Sequence, residues 1–187
     1  MPLRLHDDDP DLIKHRLREA LRKKCLGQLE LRRPDTFAGV QNGVDRDLTM
    51  SHLSGALSSL EASLLRGVLT GATWTSLRAY RCGLRTEPIC PYCHSQTEDE
   101  PHIFFICNNW EHVRSLHISA LHQAAIAASL SVNPDDWPPC VRNCGLIPTN
   151  WSCTSLSDYA QKTNLLRNLT VRLHSLITSV LLARMRF

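Results

Sequence analysis

Residues 89–107 read Ile89-Cys90-Pro91-Tyr92-Cys93-His94-Ser95-Gln96-Thr97-Glu98-Asp99-Glu100-Pro101-His102-Ile103-Phe104-Phe105-Ile106-Cys107. The spacing is Cys-x2-Cys-x8-His-x4-Cys. Three thiols and an imidazole this close together in sequence match a tetrahedral zinc set. Cys90 to Cys93 predict a tight knuckle that turns both sulfurs toward one point, with His102 and Cys107 closing the shell. Protein fills all four positions and leaves none for a reactive water, so the expected role of Zn2+ is structural. His102 is the expected third ligand rather than His94. It lies beyond a loop long enough to fold back, whereas His94 abuts Cys93 and would strain the knuckle.

The geometry of the closing pair sets a condition. Asp99 or Glu100 can cap a helix in which Pro101 takes the first position and His102 the second. His102 and Cys107 are then about 140° apart around an ideal helix. Both reach one ion only if the helix ends near Ile106, and Asn108-Asn109 favours that end.

The chain has 187 residues, 43% of them hydrophobic and 21% charged, enough for a buried core. Five of its eight cysteines lie outside the motif. That usage reads as intracellular and metal-binding, nuclear or cytoplasmic, rather than as a secreted disulfide framework. Cys140-x3-Cys144, with Cys153, is a second thiol cluster that lacks a fourth partner, and buried or free thiols are the safer reading. Cys25 and Cys82 fall on helical apolar positions and are expected in the core. A membrane span needs about 20 apolar residues. The run from Leu176 to Ala183 is too short, so no membrane association is expected.

Apart from the motif, the periodicity is helical throughout. Asp9-Pro10 predicts a helix start, followed by the stripe Ile13, Leu17, Ala20, Leu21, Cys25 and Leu29. Arg22, Lys23 and Lys24 lead a basic stripe on its other faces. Such a stripe is either a solvated face or a phosphate-binding one. Pro34 to Asp47 carries Gly39, Asn42 and Gly43 and reads as a loop or linker. Leu53, Leu57, Leu60, Leu64 and Val68 predict a helix capped by Ser51. Thr73 or Thr75 caps a short one ending at Gly83. Trp110, Val113, Leu116, Ala120, Leu121, Ala124 and Ala127 predict a long helix stopped by Asn133-Pro134. Residues 137–148 read as irregular. A last helix, opened by a capping box from Ser155 to Asp158, carries Tyr159, Leu166, Leu169, Leu173, Leu176, Ile177 and Val180. Its pattern runs close to Phe187, as expected of a piece of a longer polypeptide. The expected architecture is a mostly α domain with a CCHC knuckle between helix pairs. It divides into 1–47, 48–133 and 134–187.

No nucleophile elbow, Walker loop, dinucleotide fingerprint, H-E-x-x-H or aromatic-x-Asp-Asp motif occurs. A nuclease set of Pro134, Asp135, Asp158 and Lys162 has the wrong final spacing. No catalysis and no small-molecule substrate are expected. Arg66, Arg78, Arg81 and Arg85 cluster around the helix turn that leads into the metal segment. They are the first candidates for phosphate contacts with RNA or DNA. Tyr92 and Trp110 either stack on an exposed base or pack the knuckle.

The run from Leu64 to Arg114 resembles the C-terminal zinc-binding region of non-LTR retrotransposon reverse transcriptases. The resembling residues are Leu65-Arg66-Gly67, Thr70-Gly71, Arg78 and Arg81-Cys82-Gly83. They continue with Ile89-Cys90-Pro91-Tyr92-Cys93, Glu98-Asp99, His102 and Cys107-Asn108-Asn109-Trp110. Such regions pair an arginine-bearing helix pair with Cys-x2-Cys, an acidic loop, a His and a closing Cys. The resemblance covers roughly a quarter of the chain, and nothing here matches polymerase fingers or palm. It implies the tail of a larger polyprotein, one that helps to grip template RNA or target DNA.

Overall fold

A computed structural model describes residues 9–53, 55, 57–151 and 159–186. These are mostly helical, and the two β bridges among them, Val44 with Pro148 and Ile89 with Thr97, stand outside any strand. The α-helices in chain order are α1 (Pro10–Arg32), α2 (Pro34–Phe37), α3 (Arg46–Met50), α4 (Ser59–Leu69), α5 (Ser76–Arg81), α6 (Glu111–Ala127), α7 (Pro139–Cys144) and α8 (Tyr159–Arg184).

The centre of the fold is α8. Leu166, Leu169, Leu173, Leu176, Ile177 and Val180 are all buried on it, at the helical spacing read from the sequence. It packs mainly against α6, and also against α4 and α3. The expected capping box from Ser155 to Asp158, Cys153, and the Asp158 of the nuclease pattern lie outside the described residues.

One expected helix is displaced, and another forms in place but turns a different face inward. Ser51 does not start a helix running to Val68. The chain forms α3, turns, and restarts at Ser58, whose hydroxyl accepts from Glu61 N while Glu61 accepts from Ser58 N. That reciprocal box satisfies two end donors at once, which a lone Ser51 does not. The buried face of α4 is therefore Ala62, Leu65, Val68 and Leu69, with Leu60 exposed. On α6 the inward face is Arg114, Leu121, Ala124 and Ala125, and Leu116 is 78% exposed. Arg114 Nη2 donates to Glu111 (2.6 Å), which offsets part of the cost of its burial, while Nη1 is buried without a partner.

The segment read as a linker belongs to the core. Phe37 and Val40 are buried, and the stretch is laced to the later one read as irregular. Asp45 N donates to Ile147 O (2.8 Å), Cys140 N to Ala38 O (3.2 Å) and Thr149 N to Gly43 O (3.1 Å). Asn143 Nδ2 donates to Asp35 O (2.7 Å). Between them α7 buries Cys140, Val141 and Cys144. One core therefore draws on 37–48, on 68–128 and on 137–181, across the divisions at 47 and 133. α1 begins as expected, with Asp9 accepting from Asp11 N, but buries no residue. Leu17 and Leu21 are exposed, and of its apolar residues Leu26 and Leu29 lie against the core. Cys25 and Cys82 are exposed rather than in the core. No described helix is long and apolar enough to cross a membrane.

Gly145 ends α7 in the left-handed region, φ +66°, and its carbonyl accepts from His174 Nε2 (2.9 Å). A Cβ there would meet Nε2 at 2.8 Å, so glycine is required by both backbone and neighbour. His174 is fully buried; burial pushes its pKa down to about 4, and Nδ1 has no partner to share a second proton. In the unfolded chain the imidazole takes that proton near 6.5. Between these values the unfolded state binds the extra proton. The stability that neutral His174 contributes is thus complete above 6.5 and lost as pH falls toward 4. The unfolding free energy from denaturant melts should drop over that window, by at most about 1.4 kcal/mol per pH unit. The His174→Gln variant should have a slope shallower by one proton; equal slopes would show that His174 is not the group responsible.

Candidate metal centre

Residues 88–98 fold into a small hairpin. Cys90 N donates to Gln96 O (2.9 Å) and Glu98 N to Pro88 O (2.9 Å), around the bridge between Ile89 and Thr97. The knuckle closes through His94 N on Cys90 O (3.0 Å), with His94 at φ +55°. That conformation is uncommon for a residue with a Cβ. His94 therefore serves the turn with its backbone and is not a member of the ligand cluster.

The far side is built by a turn that the helix geometry did not foresee. Asp99 Oδ1 accepts from His102 N (2.8 Å), so Asp99 is the cap. Pro101 and His102 each sit one position later than expected. Residues His102–Ile106 then form a π turn, in which Cys107 N donates to His102 O at 2.7 Å. An i to i+5 closure widens the turn, removing most of the offset that an α-helix would impose between His102 and Cys107. Cys107 leaves with extended ψ, which meets the condition that helical geometry end at Ile106.

The result is a cluster in which one ligand atom each of Cys90, Cys93, His102 and Cys107 lies within 4.8 Å of the other three. It is the one group among the described residues placed to hold a metal ion in this way. Cys90 Sγ is 3.9 Å from Cys107 Sγ, and Cys93 Sγ is 3.3 Å from His102 Nε2. Cys90, His102 and Cys107 are buried and Cys93 is half-buried. Burial raises the Cys90 thiol pKa and pushes Cys107 up to about 12. Burial also opposes ionisation of Cys93, but hydrogen bonds from Ser95, Cys90 and Cys107 together outweigh it and bring that thiol to about 6. A cation at the centre would supply the charge that lets the two buried thiols lose their protons.

The loop from Ser95 to Glu100 lies against the cluster. Ser95 Oγ donates to Cys93 Sγ (3.2 Å) and Gln96 Oε1 lies 3.3 Å from His102 Nδ1. The latter contact fixes the tautomer that leaves Nε2 free as a ligand. Glu98 has no exposed surface. Its Oε2 accepts from Ser76 N and Ser76 Oγ (2.7 Å each), and its carboxylate accepts from Arg184 Nη2 at 3.1 and 3.2 Å. Sequence reading missed Glu98, Ser76 and Arg184 as a set, because they come from three distant segments and share no spacing signal. Thr75 caps α5 as one of the two expected residues, accepting from Arg78 N.

The expected phosphate contacts separate on the surface. Arg78 and Arg81 share an open cleft of about 590 Å³ with Arg32, Arg33 and Arg142. Arg85 lines a different hollow, beside Cys90 and His94, and Arg66 is exposed and lines neither. Arg78 is committed to the backbone, donating to Thr73 O (2.9 Å) and Gly71 O (2.6 Å). Arg81 pairs with Asp35 (2.8 Å), and its guanidinium holds the Asp35 carboxyl below the usual range. Arg22 pairs with Glu19, and Lys23 and Lys24 are exposed on α1. Trp110 is fully buried, so of its two expected roles it takes packing and not base stacking. Its ring meets that of Tyr92 edge-on at 4.8 Å. Cys140 and Cys144 are buried thiols whose pKa burial raises, Cys140 up to about 12.

Two substitutions test this arrangement. His102→Ala should bind less than one metal equivalent after dialysis, while His94→Ala should keep the wild-type content; the opposite result would move the third ligand to His94. Glu98→Gln leaves Arg184 without its counter-charge and should cost about 3 kcal/mol in urea unfolding of the metal-loaded chain. A loss below about 1 kcal/mol would reduce the pair to a surface contact.

No protein-family model matches this chain, and no curated protein or solved structure is significantly similar to it.

Proposed function

We propose that the chain is a zinc-stabilised nucleic-acid-binding module, without catalysis of its own, from the tail of a retrotransposon-type reverse transcriptase polyprotein acting inside the cell. Zinc is favoured by the donor set. Three thiolates and an imidazole suit a borderline-soft ion with no geometric demand of its own. Zinc–sulfur bonds of about 2.3 Å set a tetrahedron edge near 3.8 Å, against the observed 3.9 Å between Cys90 and Cys107.

The observation that carries the binding reading is the cleft beside the metal segment. Five arginines, Arg32, Arg33, Arg78, Arg81 and Arg142, face three carboxylates, Asp35, Asp99 and Glu100. They come from α1, α5, α7 and the α1–α2 junction, so the excess positive charge is assembled by the fold. Arg32 and Arg81 are exposed; Arg32 is free to turn toward a phosphate, and Arg81 can do so by leaving Asp35. A second reading, a purely structural or protein-binding scaffold, is favoured by the Glu98 contacts, which use the metal segment to join α5 to α8.

Titration with labelled RNA and single-stranded DNA at two salt concentrations separates them. Binding should weaken steeply with salt, and Arg32→Ala or Arg81→Ala should each reduce the log–log salt slope by about 0.7 to 0.9. No binding at low salt would leave the scaffold reading.

A further inference from the structure

α1 is held to the body along one face. Leu26 and Leu29 lie against the core, and Glu30 accepts from Gly39 N (3.3 Å) and Gln41 N (2.8 Å). At 3.6 residues per turn these three positions fall within about 100° of arc. Ile13, Leu17, Leu21 and Leu31 fall on the opposite side, in an arc of about 80° centred roughly 180° away. Leu17, Leu21 and Leu31 are exposed, Leu21 at 62% and Leu31 at 84%. Single exposed leucines are ordinary on folded proteins, but these share one line that runs from the first turn of the helix to its last.

The charges are sorted about the same line. On the helical wheel Lys14 and Arg18 follow one edge, Arg16 and Lys23 the other, and Lys24 lies within it. Asp11, Glu19 and Glu30, the three acids of the helix, all fall toward the anchored side, where Glu19 pairs with Arg22. Seven Lys and Arg against these three acids give α1 a net charge of +4, where the whole chain carries +3. The helix is therefore apolar outward, basic along both edges and acidic behind.

We propose that α1 lies with this outward face on an anionic lipid bilayer. Ile13, Leu17, Leu21 and Leu31 would enter the boundary between headgroups and acyl chains. The edge Lys and Arg stems would follow them while their charged ends reach the headgroup phosphates. The acids then point away from the negative surface. A helix lying in the interface plane needs no membrane-spanning length. Other occupants meet only part of the pattern. A nucleic acid answers the charge but leaves the leucines in water. A second copy of the chain would set like-charged edges against each other. Four side chains also offer only a few hundred Å², against about 800 Å² per partner in a stable interface. A bilayer supplies anionic groups and apolar depth together and demands no matched shape. The proposal does not depend on the nucleic-acid reading, since the arginine cleft takes only Arg32 from this helix.

The test floats the full metal-loaded chain with phosphatidylcholine vesicles, with and without phosphatidylserine. Binding should appear with phosphatidylserine and be absent without it. Leu17→Gln combined with Leu21→Gln keeps good helix formers and should weaken binding by at least about tenfold. Arg18→Gln should weaken it about fivefold. The double variant should keep the wild-type circular dichroism, metal content and oligonucleotide affinity. If the wild type does not float with phosphatidylserine vesicles, the proposal is overturned. If the double variant floats as the wild type does, the attraction is charge alone and the apolar face has no part in it, which also overturns the proposal. If the double variant leaves flotation unchanged but lowers oligonucleotide affinity, or dissociates a dimer seen by sedimentation, the face belongs to that partner instead.

Discussion

A carboxylate with no exposed surface organises this molecule. Glu98 has to be neutralised and fully hydrogen-bonded, because an uncompensated charge at that depth would cost several kcal/mol. Its side chain is answered by the backbone and hydroxyl of Ser76 and by Arg184. Its backbone is used as well: Leu77 N donates to Glu98 O, and Glu98 N to Pro88 O. One residue therefore holds the hairpin of the metal segment, the start of α5 and the end of α8 in a single arrangement. Moving any one of the three segments exposes the carboxylate or strands the guanidinium, so the contact specifies geometry as much as it stabilises it.

The metal cluster adds a constraint of the opposite kind. Its ligands come from one short segment, so it shapes locally what Glu98 fixes at long range. The knuckle supplies two sulfurs from the hairpin, and the π turn brings His102 and Cys107 to face them. Once Cys107 is placed, the chain enters α6 through a short 3-10 turn whose Trp110 is buried beneath Tyr92. The direction of α6, and hence its packing on α8, follows from the closure of the cluster. Phe105 extends the link outward through its edge contact with Trp137. A segment too small to form its own core is in this way joined to the main one by aromatic side chains on both flanks.

The arginines show how tertiary context reassigns charge. In sequence, Arg66, Arg78, Arg81 and Arg85 look like one patch. In the fold, Arg78 joins Arg33 on the carbonyl of Gly71, tying the loop before α5 to the end of α1. Gly71 adopts φ +63° there, and a Cβ would meet the Phe37 ring at 2.5 Å. These guanidiniums are structural hydrogen-bond donors first. The cleft they border is also lined by Arg32 and by Arg142, the latter paired with Asp135, from parts of the chain with no motif.

The sequence alone determined what depends on local spacing. The Cys-x2-Cys-x8-His-x4-Cys set, the preference for His102 over His94, the start of α1 and the buried face of α8 were all legible there, and the cap of α5 was narrowed to Thr73 or Thr75. Each rests on periodicity or on side-chain reach within a few residues. Only the tertiary structure decided which residues answer one another across the chain. The Glu98–Ser76–Arg184 contact, the burial of Phe37 and Val40 in a Gly- and Pro-marked stretch, and the rotation of the α6 face to take in Arg114 are of this kind. The physical reason is common to them. A residue type signals its own solvation cost but not its partner, and a Gly or Pro signals a turn but not what the turn packs against. The π turn lies between the two cases: sequence stated the angle His102 and Cys107 had to overcome, and the fold supplied the backbone that overcomes it.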